Sequence, residues 1–233
     1  MAPDKREQPN IRGTVAPGFE SLRALFEREM RTMAERQAQL CVYHRGEKVV
    51  DLWADTTGDA GFSADSLVNV FSSGKSLEAI AVAWLVDKGL LDYDQTITHY
   101  WPAFGANGKA GITVADLMRH EAGLASFDTS IDMEDLFSEN LKRNAVGRII
   151  EEHTPRLGEG GHRRREYHAL TRGWIVNELF RRADPAGRTI GEFLREDVSG
   201  ALGADVVIGV RPAEMTRLYP VRALGFWYQL GQS

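Results

Sequence analysis

The chain has 233 residues, 43% of them hydrophobic, with 28 basic and 33 acidic side chains and a net charge of −5. That is enough apolar material for one large domain or two small ones, and the acidic balance gives no general attraction to nucleic acid or anionic membranes. The single cysteine, Cys41, excludes an internal disulfide framework, and no apolar stretch approaches the ~20 residues of a membrane span.

The first ten residues have no apolar core, so no secretory signal is visible and the default expectation is a soluble cytoplasmic protein. Residues 1–18 are polar and punctuated by Pro and Gly, which predicts a flexible N-terminal tail. Leu22, Leu25, Phe26 and Met30 recur at helical spacing between Phe19 and about Gln37. Ala38 to Ala54 reads as a hairpin, with strands Gln39–Tyr43 and Val49–Trp53 and Gly46 at the turn. Cys41 lies in the first of these and is expected to pack rather than react.

A short strand, Leu67 to Phe71, then leads into a helix over about Ser73 to Lys88 that is apolar nearly all round, with Gly89 at its C-terminal cap. Leu90 to Gly111 is loop-rich; Thr113 caps a short helix, Val114 to His120, stopped by Gly123. One helix is predicted over Met133 to Glu152, broken off by Gly158-Glu-Gly-Gly161. The next, about Ala169 to Arg182, has its apolar face at Leu170, Trp174, Val176, Leu179 and Phe180. After the turn at Asp184-Pro-Ala-Gly187, Thr189 caps a last helix to about Glu196, and the final thirty residues read as irregular. Strands at the front and helices in the middle predict an α+β fold.

The chemistry is concentrated at Ser72-Ser-Gly-Lys75, where strand becomes helix. Three-residue spacing on a helix sets a hydroxyl and an amine on one face, ~5–6 Å apart at Cβ. Serine is a poor nucleophile until a base takes its proton, and a desolvated lysine is one such base. The helix N-terminus favours the developing alkoxide. Two alternatives stand beside this: Ser72 merely caps the helix, or Gly74-Lys75-Ser76 ends a phosphate loop. Against the latter, the first glycine of that motif is replaced by Asn69, and Phe71 would crowd the phosphates. His120-Glu121 begins like a zinc-binding pair, but Leu124 stands where the second histidine belongs, and His153, His162 and His168 lack ligand spacing, so no metal is expected. His120 is expected to hold the loop at Gly123 through a hydrogen bond.

Val70-Phe-Ser-Ser-Gly-Lys75, Leu85-Val-Asp-Lys-Gly-Leu-Leu-Asp-Tyr93, Tyr100-Trp-Pro102, Leu117-Met-Arg-His-Glu-Ala-Gly-Leu124, Tyr167-His-Ala-Leu-Thr-Arg-Gly-Trp174 and Gly187-Arg-Thr-Ile-Gly-Glu-Phe-Leu194 resemble, in order, the serine β-lactamase-like superfamily. The likeness is greatest to its class C-like branch, family VIII esterases and eukaryotic β-lactamase-domain proteins. It implies a β-lactamase/transpeptidase-like α+β fold, an antiparallel sheet flanked by helices plus a mainly helical lobe. It also implies Ser72 as acylated nucleophile, Lys75 as its proton partner, and Tyr167 as the first residue of the Tyr-x-Asn motif. His168, by its place beside Tyr167, is a candidate either to line the cleft and bind substrate or to pack. Lys75 could lower the phenol's pKa and Arg163 to Arg165 could add to it, though the expected setting of these arginines is a solvated loop. The third position of that motif is Ala169, and Gly74 replaces the usual Thr.

No Lys-Thr-Gly or His-x-Gly motif follows Tyr167. The resemblance therefore implies an incomplete β-lactamase-like domain over 19–210, C-terminal sheet strands missing, and a divergent tail over 211–233. The expected partner is a small-molecule ester or amide, with no cofactor and weak or no turnover. The competing expectation is a catalytically dead fragment whose open sheet edge forms homo-oligomers.

Overall fold

The computed structural model describes residues 8–156, 158 and 164–221. Glu159, Gly160, Gly161, His162, Arg163 and everything beyond residue 221 lie outside the described residues, as does the first part of the predicted tail. The chain divides into two compact units, Met1–Asn69 with Arg211–Ser233, and Val70–Val210.

In the first unit, β1 (Asn10–Val15), β2 (Gln37–His44) and β3 (Glu47–Asp55) form an antiparallel sheet in the order β1-β3-β2. The hairpin turns at Arg45 and Gly46, both at positive φ, the geometry whose twist matches paired strands. β3 alternates as a half-buried strand must, Val50, Leu52 and Ala54 pointing inward. The helix α1 (Glu20–Thr32) lays Leu22 and Phe26 with Phe19 against Val50 and Leu52. Residues 10–15 correct the predicted tail: they pair along β3 from Asn10↔Asp55 to Val15↔Val50. No hydrophobic run announced this strand, because its pairing is made by backbone groups and permitted by Gly13. That residue has φ +101, and a Cβ there would sit 1.9 Å from the Asp51 carbonyl oxygen.

Cys41 is exposed rather than packed, since its neighbours Leu40 and Val42 take the inward face and alternation turns it out. The strand expected over Leu67 to Phe71 shortens to β4 (Leu67–Val68), which pairs in parallel with β5 (Leu218–Tyr219), within the segment read as irregular. Tyr219 there meets Phe62 edge to face at 5.0 Å.

The second unit is helical. α2 (Lys75–Asp87) buries Ala81, Val82 and Leu85, while Ile80 is half-exposed, so its burial is one-sided rather than all round. Gly89 caps it at φ +67. α3 (Ile97–Tyr100) lies in the loop-rich stretch, and α4 (Val114–Met118) starts on a reciprocal cap between Thr113 and Asp116. The single helix predicted over 133–152 is broken into a 3-10 turn at Met133–Leu136, α5 (Ser138–Lys142) and α6 (Ala145–Glu152). The break is Asn144, left-handed at φ +67, whose carboxamide bonds Arg182 and Glu151 instead of continuing a helix.

α7 (Thr171–Ala183) buries Ile175, Val176, Leu179 and Phe180; Leu170, expected on this face, precedes the helix and is exposed. α8 (Ile190–Phe193) begins on the Thr189–Glu192 cap and runs on, through a π-helical turn at Leu194–Ser199, to Leu202. A continuous core from Val82 and Leu85 through Leu117, Val146 and Ile150 to Ile175, Phe180 and Phe193 fixes α2, α4, α6, α7 and α8 together. No helix among the described residues is long and apolar enough to cross a membrane.

Candidate active site

Ser72 sits in a 3-10 turn, Phe71–Gly74, that runs directly into α2. Phe71 has φ +46 and an exposed side chain. For a bulky residue that conformation costs ~1–2 kcal/mol, strain of the kind concentrated where the chain must present a particular group. It turns the backbone sharply before Ser72. Lys75 follows three residues later, its Nζ 3.4 Å from Ser72 Oγ and 2.6 Å from the Ala169 carbonyl oxygen, to which it donates.

Tyr167 comes from the segment just before α7. Its hydroxyl lies 2.7 Å from Ser72 Oγ, and Lys75 Nζ stands 5.3 Å from the centre of its ring. The structure therefore brings Ser72, Lys75 and Tyr167 together. The hydrogen bond with Ser72, then the nearby Lys75 and Arg172 charges, hold the phenol below its ordinary value against partial desolvation. The third residue of the motif contributes its backbone: with Ala at 169, it is the carbonyl that anchors the lysine.

His168 does not reach a substrate. It is fully buried, its Nε2 accepting from the Leu124 N–H at 3.0 Å and its Nδ1 donating to the Glu166 carbonyl. Both ring nitrogens are thus committed to backbone, which corrects its assignment as a binding residue and fixes its neutral tautomer. Burial lowers its pKa.

His120 also differs from expectation. Rather than bonding the loop at Gly123, its Nδ1 accepts from the His168 backbone N–H at 3.0 Å, and its ring packs 5.0 Å from that of Tyr167. Its own carbonyl accepts from the Glu166 N–H. Both contacts steady the segment that carries the phenol. Its Nε2 faces the Arg172 guanidinium at 3.2 Å. Desolvation and then the Arg172 charge push its pKa down to about 4. Among the described residues no cluster of His, Cys, Asp or Glu could hold a metal ion.

Sequence reasoning passed over Glu78 and Arg172. Glu78 lies one turn after Lys75 on α2, Arg172 in the first turn of α7, and their ion pair is 3.1 Å long and largely buried. Spacing from Lys75 was a signal for Glu78; nothing local marked a partner 94 residues away. Arg165 is bound to Glu121 at 2.8 Å rather than to the phenol. Beside Ala169 opens a hollow of about 350 Å³, walled by Phe127, Ile131, Leu170 and Trp174 with Ser126 and Asp128 at its rim.

Residues 22–225 match the family described as Beta-lactamase, a span that runs past residue 210 into the segment set apart as a divergent tail. Over 183 residues the chain is 39% identical to the esterase/beta-lactamase LipL of Mycobacterium tuberculosis (strain ATCC 25618 / H37Rv), covering 75% of this chain and 39% of LipL. A penicillin-binding protein homologue from Caulobacter crescentus superposes with a TM-score of 0.78 and 32% identity, over 92% of this chain and 56% of the homologue. A family VIII carboxylesterase gives the same score and identity over 90% of this chain and 56% of its own. The chain thus spans about two fifths to just over half of the length of these relatives.

Proposed function

We propose that this chain, which belongs to the beta-lactamase family, is a serine hydrolase that takes the acyl group of a small ester or amide onto Ser72. The observation that carries the reading is the placement of Tyr167 Oη at 2.7 Å and Lys75 Nζ at 3.4 Å from Ser72 Oγ. As phenolate, Tyr167 accepts the Ser72 proton while Oγ bonds to the carbonyl carbon and the C=O electron pair moves onto oxygen. Lys75, held by Ala169, keeps a positive charge beside the phenolate and the developing alkoxide. Collapse of the tetrahedral intermediate breaks the bond to the alcohol or amine, which leaves with the proton from Tyr167. Water then repeats the sequence on the acyl-serine, giving its proton to Tyr167 and from there to Oγ. No step calls for a metal or cofactor. The hollow beside Ala169, where Phe127, Leu170 and Trp174 stand among polar side chains, offers room for a substituent of the substrate.

The test is covalent labelling of the purified chain by a fluorophosphonate probe, read by intact mass and peptide mapping. Labelling rather than turnover is chosen because it reads the acylation of Ser72 directly, whatever the rate of the later deacylation. One adduct at Ser72, lost in Ser72→Ala, is expected; absence of that adduct, or equal labelling of Ser72→Ala, overturns the reading.

A second reading, assembly of copies through a sheet edge, has one observation in its favour: among the described residues β2 pairs on one side only, with β3. Two features blunt that edge, the register shift between Val42 and Tyr43 and the Gln39 carboxamide, which donates to the carbonyls of Ser63, Ala64 and Ser66. We therefore place it second; a monomer by light scattering would dismiss it.

A further inference from the structure

We propose that Arg172, held by Glu78, is the positioning residue of the Ser72–Lys75–Tyr167 centre, bracing Lys75 and setting the charge behind the phenol. This rests on the hydrolase reading of that centre.

The geometry is that of a built junction. Arg172 Nε and Nη2 donate to Glu78 Oε2 at 3.2 and 3.1 Å, Nη2 also reaches the Lys75 carbonyl at 3.3 Å, and Nη1 reaches the Met118 carbonyl at 3.3 Å. The guanidinium thereby joins the first turn of α7 to the first turn of α2 and the end of α4. Lys75 is gripped twice from the same region, by Arg172 at its carbonyl and by Ala169 at its ammonium. The next residue is Gly173, where a Cβ would stand 2.8 Å from Glu78 Oε1 and push the carboxylate aside. A buried charge pair of this kind is weak as a source of stability, so its position beside a reactive centre points to another role.

That role follows from which charges face Tyr167. Lys75 of α2 stands 5.3 Å from the phenol ring, His120 packs against it and the Arg172 charge from α7 acts on its hydroxyl; Glu78, Glu121, Arg165, Glu166 and His168 are the other titratable groups on the elements around it. Glu121 is paired with Arg165 and with Arg119, and His168 is sealed by backbone bonds. Arg172 and Glu78 are the oppositely signed pair whose balance biases the phenolate. Removing the cation disfavours the phenolate; removing the anion favours it. A brace without an electrostatic role would respond to both losses in the same direction.

The experiment is the pH dependence of Ser72 labelling by the fluorophosphonate probe, with the Tyr167 phenol followed directly by ¹³C NMR of its Cζ. Arg172→Met is expected to move the acid limb and the phenol titration up by about half a unit or more, roughly a threefold slower labelling on that limb. Glu78→Gln moves both down by a similar amount. Arg172→Lys, which keeps the charge but not the fork, restores the position of the limb more than the rate. The double variant Glu78→Gln/Arg172→Met returns the limb towards its original position with slower labelling. Shifts of the same sign in the two single variants, or none in either, overturn the proposal. Should Arg172→Met fail to fold, Glu78→Gln and Arg172→Lys decide it by the same criteria. If the unsubstituted chain is not labelled at Ser72, the hydrolase reading falls, while the phenol titration still tests Arg172.

Discussion

Acid should loosen this protein through His120, and the size of the effect can be worked out. In the folded chain the His120 Nδ1 is occupied by the His168 backbone N–H, and Arg172 stands 3.2 Å from Nε2, with Lys75 and Arg165 adding positive charge. The pKa is pushed from 6.5 to about 4. Above pH 6.5 the ring is neutral in both folded and unfolded chains, and stability does not depend on it. Between 6.5 and 4 the unfolded chain takes up a proton that the folded chain refuses, so stability falls as pH falls; below 4 both bind it and the loss levels off. At ~1.4 kcal/mol per unit, less solvent screening, the loss amounts to about 2–3 kcal/mol, against a typical total of about 5–15 kcal/mol. His153 and His168, whose pKa values burial also lowers, act in the same direction, so the wild-type slope alone does not isolate His120. The control is His120→Asn: asparagine tolerates the left-handed backbone at φ +64, offers an oxygen to the His168 N–H, and does not titrate here. Urea unfolding at pH 7, 5 and 4 should show a stability loss about 2–3 kcal/mol steeper for the wild type than for His120→Asn. Equal slopes, or a His120 ring that titrates near 6.5 in the folded protein by NMR, would refute the reasoning. The loss should be felt at the centre as well, since a protonated Nδ1 releases the segment that carries Tyr167.

Tyr167→Phe removes a hydroxyl whose partner is Ser72 from a ring that is 54% exposed, so melting temperature should hold while Ser72 labelling slows by ~10²-fold or more. Gly147 lies within α6, where alanine would ordinarily help by ~1 kcal/mol, yet its Cβ would meet Asn144 Oδ1 at 1.9 Å and Glu178 Oε2 at 2.9 Å. Gly147→Ala should therefore destabilise by about 2 kcal/mol in urea, an inverted sign that a stabilised variant would contradict. Gly74 has φ −59, and a methyl added there would meet nothing within 4 Å, so Gly74→Ala should raise stability by ~0.5–1 kcal/mol with Ser72 labelling retained; a loss of either means the glycine is needed.

Much of the fold is local in origin and was legible for that reason. The hairpin turn at Arg45-Gly46, the reciprocal caps at Thr113 and Thr189 and the stop at Gly89 each depend on residues within one turn of each other. Where the reading failed, the deciding partner was distant. Residues 10–15 became a strand because β3 offered its free side. Asn144 broke a helix because Arg182, 38 residues on, donates to its carboxamide oxygen. His168 was sealed from the cleft by the backbone of Leu124, 44 residues away.

The candidate site divides in the same way. Ser72 and Lys75 come within reach of one another because one turn of helix brings residues three apart onto one face, a conformation set within the segment itself, and so the sequence alone determined that pair. The approach of Tyr167 across 95 residues, the grip of Ala169 on the lysine and the Arg172–Glu78 junction were decided only when α7 packed against α2. Bonds of a few ångströms between distant residues exist only where a shared core has already fixed both backbones, and no pattern within either segment encodes that distance.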